Sequence, residues 1–307
     1  RDYGAPGSYF YPFEGSWLIP TTGKKLHKEP PLPGKPGDYL VDRLAEEAEK
    51  FIRDAGEKPF FLMLSHYAVH SPLQAKPDKV ARYEQVAPGE RQGKPAYAGM
   101  IESVDDSVGR VMATLRELGL DERTLVIFTS DNGAAASSSD SHPLRANKGS
   151  NYEGGIRVPL IIRQPGAEQA PATCSVPVIS TDLYPTVLAA LGLPPRPHQH
   201  VDGVSLMPLL AGENRLGRDA IFWHYPHYNQ HPQSFPSGVI RQGDWKLIEN
   251  FETGECELFN LADDVGETRD LAGSNAQKAA ELKARLKAWQ ESVGADMMRP
   301  NPEYEGK

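Results

Sequence analysis

Residues 124–159 read TLVIFTSDNGAAASSSDSHPLRANKGSNYEGGIRVP, and the break in texture at Ser130 governs the reading of the whole chain. The run Thr124 to Thr129 is β-branched and apolar, with too few polar positions for a half-exposed strand, so it is expected to be buried on both faces of a parallel sheet. Ser130, Asp131, Asn132 and Gly133 stop it abruptly. In open α/β sheets, ligands gather beyond the carboxyl ends of strands, where side chains stand on a stiff base and face a crevice. Asp131 and Asn132 occupy that place. A carboxylate beside an amide oxygen suits a hard cation such as calcium or magnesium, and the absence of a nearby Cys argues against a soft metal. The same tripeptide also suits a plain tight turn, because Asn tolerates left-handed dihedrals and Gly costs nothing there. The sequel tips the balance. A small-residue loop, Ala134 to Ser139, leads to Asn147-Lys148-Gly149, where a lysine set between small residues can approach an anion, and then to Tyr152 through Pro159.

Working outward, the pattern upstream alternates helix and strand. Leu40, Leu44, Ala48, Phe51 and Ile52 fall on one face of a predicted helix that Gly56 and Pro59 end, and Phe60 to Ser65 reads as a further buried strand. That αβ unit feeds a loop holding His66 and His70. Lys76 to Pro95 is charged and Pro-punctuated, a surface excursion. Tyr97 to Leu115 is a long amphipathic helix closed by Gly119, on which Asp105 and Asp106 are expected to be solvated or capping. Residues 1–37 carry seven prolines and read as surface loop.

Downstream, Leu160 to Ile162 continues the sheet, and Ser180 or Thr181 caps a helix through Leu191 with Asp182 in its first turn. From about Arg218 the texture changes to short strands, Ala220 to Trp223, Ser237 to Arg241, Trp245 to Glu249 and Glu257 to Phe259. Turn signals at Gly243-Asp244 and Thr253-Gly254 make this a small antiparallel sheet, with the stripe Ala279, Leu282, Leu286, Trp289 and Val293 as a packing helix. The expected division is an α/β domain over 1–215 and an α+β subdomain over 216–307.

The chain has 307 residues, 39% hydrophobic and 24% charged, and a formal charge of −8. That composition is of an ordinary globular protein with no electrostatic reason to bind nucleic acid and no segment long enough to span a membrane. Cys174 and Cys256 are too few for a disulfide framework, and read as a pair or as two buried thiols.

The order strand, Ser-Asp-Asn-Gly, loop, Lys-Gly, Glu-Gly-Gly-Ile-Arg-Val-Pro resembles the second half of the formylglycine-dependent (type I) sulfatases of the alkaline phosphatase superfamily. Phe60 to Ser65 followed by Ala68-Val69-His70-Ser71-Pro72-Leu73 is similar to that family's catalytic histidine loop. Tyr97 to Gly109, Ser180 to Gly192, Asp202 to Leu206 and Ile240 to Leu247 extend the likeness through nearly the whole chain. The resemblance implies an alkaline phosphatase-like α/β sandwich with a mostly parallel central sheet, together with the small antiparallel sheet and its helix. It also implies hydrolysis of sulfate esters. Asp131 and Asn132 would ligate calcium, Lys148 would hold the sulfate, and His70 would move protons. His66, His142, Arg145, His224 and His227 form the candidate rim, a polar, partly cationic set suited to a sulfated carbohydrate.

In that family the aldehyde nucleophile is made from a Cys or Ser in a Cys/Ser-x-Pro-x-Arg motif near the amino terminus, beside paired calcium-binding aspartates. Neither Cys174 nor Cys256 has Pro two places on. Formylglycine, the remaining calcium ligands and the amino-terminal part of the sheet are therefore expected in a segment outside this chain, which alone should be inactive. The resemblance places such an enzyme outside the cytoplasm, in a periplasmic, secreted or lysosome-like compartment. Two other readings stay open: a phosphate-ester hydrolase of the same superfamily, and a non-catalytic sugar-binding or scaffold module using the aromatic strip Phe222 to Tyr228.

Overall fold

The computed structural model describes residues 6–13, 32–91, 93–165, 172–299 and 301–303, so part of the proline-rich start lies outside it. The chain divides into two compact units, Arg1–Thr124 with Ser137–Asp140, and Leu125–Ala136 with Ser141–Lys307.

The first unit is built on α1 (Leu40–Ala55), α2 (Pro77–Glu84) and α3 (Pro95–Glu117). Helix α1 buries Leu40, Val41, Ala45, Ala48 and Ile52, a stripe turned slightly from the expected one. Phe51 falls at its rim, exposed and edge-on to Phe60. Gly56 ends the helix with a positive φ of 58°, which glycine adopts without strain. Tyr9, Phe13, Tyr39, Leu40, Val41 and Met100 form the core. Arg110 of α3 forks onto Glu49 of α1 through Nε (2.8 Å) and Nη2 (2.9 Å). Helix α2 corrects the expected surface excursion: Pro77 sits at its first turn, where a missing N–H loses nothing. It buries Lys79, whose ammonium lies 2.5 Å from Asp106 and 3.1 Å from Glu102. Asp106 is thus solvent-exposed, as expected, and also an ion-pair partner.

Phe60 to Ser65 is also corrected. The segment has no regular secondary structure, with Phe61 and Met63 exposed and Leu62 and Leu64 half-buried, and it joins no ladder among the described residues. An apolar run specifies extended backbone; only a neighbour makes it a strand.

In the second unit, β1 (Val126–Thr129) is followed by the short helix α4 (Glu153–Ile156) and by β2 (Leu160–Arg163). The two strands pair antiparallel, Val126 opposite Arg163 and Thr129 opposite Leu160. Burial of β1 on both faces is not found, since Phe128 and Thr129 are exposed, as is Ile161 on β2. Burial on both faces requires a layer on each side, and a short apolar run does not encode the direction of its neighbour.

A 3₁₀ turn at Ser180–Asp182 leads into α5 (Leu183–Ala190), and α6 (Met207–Leu210) follows. The cap is supplied by Asp182 rather than by Ser180 or Thr181. Its buried carboxylate accepts the N–H groups of Ile179 (2.9 Å) and Val204 (3.0 Å) and is forked by Arg218.

The predicted antiparallel sheet is present as β3 (Ala220–Tyr225), β4 (Ser237–Gln242), β5 (Trp245–Asn250) and β6 (Cys256–Asn260), in that spatial order. Its two faces follow the period of two. Phe222, Ile240, Leu247 and Leu258 stand in register and face α7 (Ala276–Ser292), meeting Leu282 and Leu286, with Phe222 stacked on Trp289 at 4.8 Å. Val239, Ile248 and Phe259 pack on the other side with Tyr152 and Ala146. The sheet therefore carries the segment around Lys148. Cys174 is exposed and Cys256 half-buried, and they do not pair. Among the described residues no helix is long and apolar enough to cross a membrane.

Candidate active site

Three short segments of the second unit are stitched together by backbone. The Gly133 N–H donates to Gly155 O (3.0 Å), the Lys148 N–H to Ala134 O (2.9 Å), and the Gly154 N–H to Arg145 O (2.8 Å). Glycine is dictated at each contact: a Cβ at Gly133 would collide with Gly154 O, one at Gly154 with Ala146 O, and one at Gly155 with Ser150 O. The stitching fixes Asp131, Asn132 and Lys148 on one braced backbone. Among the described residues, no hydrogen bond or ion pair engages the side chains of these three residues.

Beneath this frame lies a buried charge network that the sequence reading passed over. Lys246 of β5 is fully buried, 2.9 Å from Glu153 and 2.8 Å from Glu267, while Glu267 Oε2 accepts the Glu153 N–H at 2.6 Å. Arg241 and Arg157 lie 3.5 and 3.4 Å from Glu153. Burial works to raise the Glu153 pKa, but Lys246, Arg241 and Arg157 outweigh it and hold it below the ordinary carboxylate range. Burial dominates at Glu267 and pushes it up. The sequence signal was available in Glu153 of the Glu-Gly-Gly string and Lys246 of the Asp-Trp-Lys string, but nothing in either marks them as partners.

Each expected rim residue has its own surroundings. The Arg145 guanidinium is committed internally, 3.8 Å over the Tyr152 ring, 3.2 Å from Glu257 and donating to Glu267 O at 3.0 Å. The ring of His224 is engaged by Asp296 O (2.8 Å) and Gln290 (3.3 Å). His142 is exposed, before a cis bond to Pro143, and His227 is exposed against Tyr225. His66 and His70 belong to the first unit. His66 Nε2 lies 3.0 Å from Ser107 Oγ, and burial lowers its pKa. His70 is exposed with Nδ1 2.9 Å from Ser71 O, and its own carbonyl accepts the Tyr9 hydroxyl at 2.9 Å.

One string needs a correction at sequence level. Ser141-His142-Pro143-Leu144-Arg145 satisfies Ser-x-Pro-x-Arg, which attention to the two cysteines alone overlooks. It is used here as a turn. The Leu144 N–H returns to Ser141 O (2.9 Å), the Ser141 hydroxyl accepts Asn147 Nδ2 (2.8 Å), and Arg145 is held by Tyr152 and Glu257.

The fold is alkaline phosphatase-like, α/β with a small antiparallel sheet and a packing helix. The Sulfatase family model matches residues 3–193, and the model described as N-sulphoglucosamine sulphohydrolase, C-terminal, matches residues 146–292. The chain belongs to the sulfatase family. It is 34% identical over 284 residues to a sulfatase of Formosa agariphila, covering 84% of this chain and 51% of that protein. It is 30% identical over 295 residues to human arylsulfatase A, covering 86% of this chain and 54% of that one. A crystal structure of Ps i-CgsB in complex with k-i-k-neocarrahexaose matches with a TM-score of 0.73 and 32% identity, over 87% of this chain and 56% of that one. The chain thus spans about half the length of the curated relatives it matches.

Proposed function

We propose that this chain is the carboxyl-terminal part of a sulfatase that hydrolyses sulfate esters of a carbohydrate outside the cytoplasm. The observation that carries the reading is the braced frame presenting Asp131, Asn132 and Lys148 with their side chains unengaged. A half-buried ammonium at a glycine turn suits a sulfate oxygen, where it offsets negative charge that grows during transfer. The complex with neocarrahexaose described for a structural relative favours a sulfated sugar.

Asp131 and Asn132 fit an oxygen-preferring cation by donor chemistry. No group of three or more His, Cys, Asp or Glu gathers among the described residues. Two donors out of the usual six to eight make them part of a calcium site whose other ligands come from elsewhere in the protein. Bound there, calcium would neutralise charge on the ester and the nucleophile. The nucleophile is assigned to a formylglycine outside this chain. His70 accepts or donates the proton at the leaving oxygen, a role that rests on the sulfatase resemblance.

The test uses the full-length protein and p-nitrophenyl sulfate. Lys148→Ala should lower kcat by roughly 10²–10³, whereas Ser141→Ala should keep most of the activity. An unaltered rate in Lys148→Ala would refute its sulfate role. Abolition in Ser141→Ala, with formylglycine found at that position, would move the nucleophile into this chain.

A further inference from the structure

The loop between β3 and β4 holds polar groups that the reaction above leaves unused. One side chain ties it to the Lys148-Gly149 turn. Asn229 Nδ2 donates to Gly149 O (3.0 Å), Ser234 Oγ (2.6 Å) and Tyr225 Oη (3.2 Å), while its Oδ1 accepts the His231 N–H (2.8 Å). A second anchor follows, with Asn151 Nδ2 donating to Ser237 Oγ (2.9 Å) and Phe235 edge-on to Tyr152 at 6.1 Å.

These ties seat the His231 imidazole against Gly149. A Cβ on Gly149 would stand 2.5 Å from His231 Cδ2 and 2.7 Å from Cγ, and the glycine has a φ of +89°. Both the turn and the ring therefore require glycine there. The His231 side chain is half-buried, and among the described residues neither ring nitrogen makes a hydrogen bond. Neither nitrogen is among the buried polar atoms left without a partner, so both are open to solvent and to a ligand, on a ring packed against Gly149, the sequence neighbour of Lys148, whose side chain is likewise unengaged.

We infer that His231, held by Asn229, contacts the substrate and hydrogen-bonds a hydroxyl on the alcohol half of the sulfate ester. The inference rests on Lys148 holding the sulfate. A neutral imidazole offers one donor and one acceptor, which matches a sugar hydroxyl and not the bare ring of an aryl sulfate. A site built to pair a hydroxyl discriminates against an analogue that lacks one, because its own polar groups are then left unpaired.

The measurement is kcat/KM of the full-length protein on a sulfated neocarrahexaose and on p-nitrophenyl sulfate, for the unsubstituted protein, His231→Ala and His231→Gln. The ratio of the sugar ester to the aryl ester should fall about 10- to 100-fold in His231→Ala, chiefly through KM, with partial recovery in His231→Gln. Asn229→Ala, which frees the loop, should shift the ratio the same way. An unchanged ratio in His231→Ala overturns the inference, as does an unsubstituted protein that hydrolyses the aryl ester and not the hexasaccharide. Failure of the unsubstituted protein on both esters would instead sink the sulfatase reading beneath it.

Discussion

Lys246 is the residue on which the candidate site leans most heavily without touching it. Its ammonium is fully buried between Glu153 and Glu267, and Glu153 opens the α4 turn whose glycines lock the Asp131 and Lys148 segments. Removing one member of a buried ion network leaves its partners charged and unpaired, which destabilises by about 3–5 kcal/mol. Lys246→Met should therefore cost stability of that order, read from the fall in urea midpoint at constant slope. Lys278→Met is the comparison, since it removes only the surface pair with Glu281 at 2.7 Å and should cost less than about 1 kcal/mol. Equal midpoints for the two variants would mean that the network does not hold the frame.

At the scale of elements, the sequence was legible wherever an element carries its own periodicity and unreadable where a neighbour decides. The four-stranded sheet and α7 appear where alternation and turn chemistry placed them, because β4, β5 and β6 follow one another across short turns such as Gly243-Asp244. Helix α7 buries the expected Leu282 and Leu286 against Ile240, Leu247 and Leu258. Phe60 to Ser65 and Thr124 to Thr129 were misread for the opposite reason, since their apolar content is the same whether a parallel, an antiparallel or no neighbour lies alongside. Asp131, Asn132 and Lys148 were marked by residue type and, for their proposed roles, by the family resemblance. Asn229, His231 and Lys246 were not, because each meets a partner distant in sequence, as in the Asn229 bond to Gly149 80 residues away. The fully buried Leu286 tests the helix-to-sheet layer. Leu286→Ala should destabilise by about 2–5 kcal/mol through lost burial and a residual cavity, read from the shift in urea midpoint at constant slope. A loss below about 0.5 kcal/mol would place α7 outside the cooperative core.

For the whole molecule, the decisive matter is which groups the half-length match leaves this chain to supply. On the proposed reading it would supply two oxygen donors at Asp131 and Asn132, a cation at Lys148 and an imidazole at His70. It also exposes large apolar side chains, Phe61 at 77%, Met63 at 76% and Ile161 at 64%. Exposed apolar faces of this kind are ordinarily covered by another surface. Sulfate transfer by a covalent route needs a nucleophile that positioning and electrostatics do not replace. The chain alone is therefore expected to show no hydrolysis of p-nitrophenyl sulfate, with or without added calcium, and only weak calcium binding in calorimetry, two donors falling short of six to eight. Restoring the flanking sequence should restore both turnover and tight calcium binding. Turnover by the chain alone, or stoichiometric tight binding of calcium to it, would show that the nucleophile or the missing ligands lie within these 307 residues, with Ser141 the first place to look.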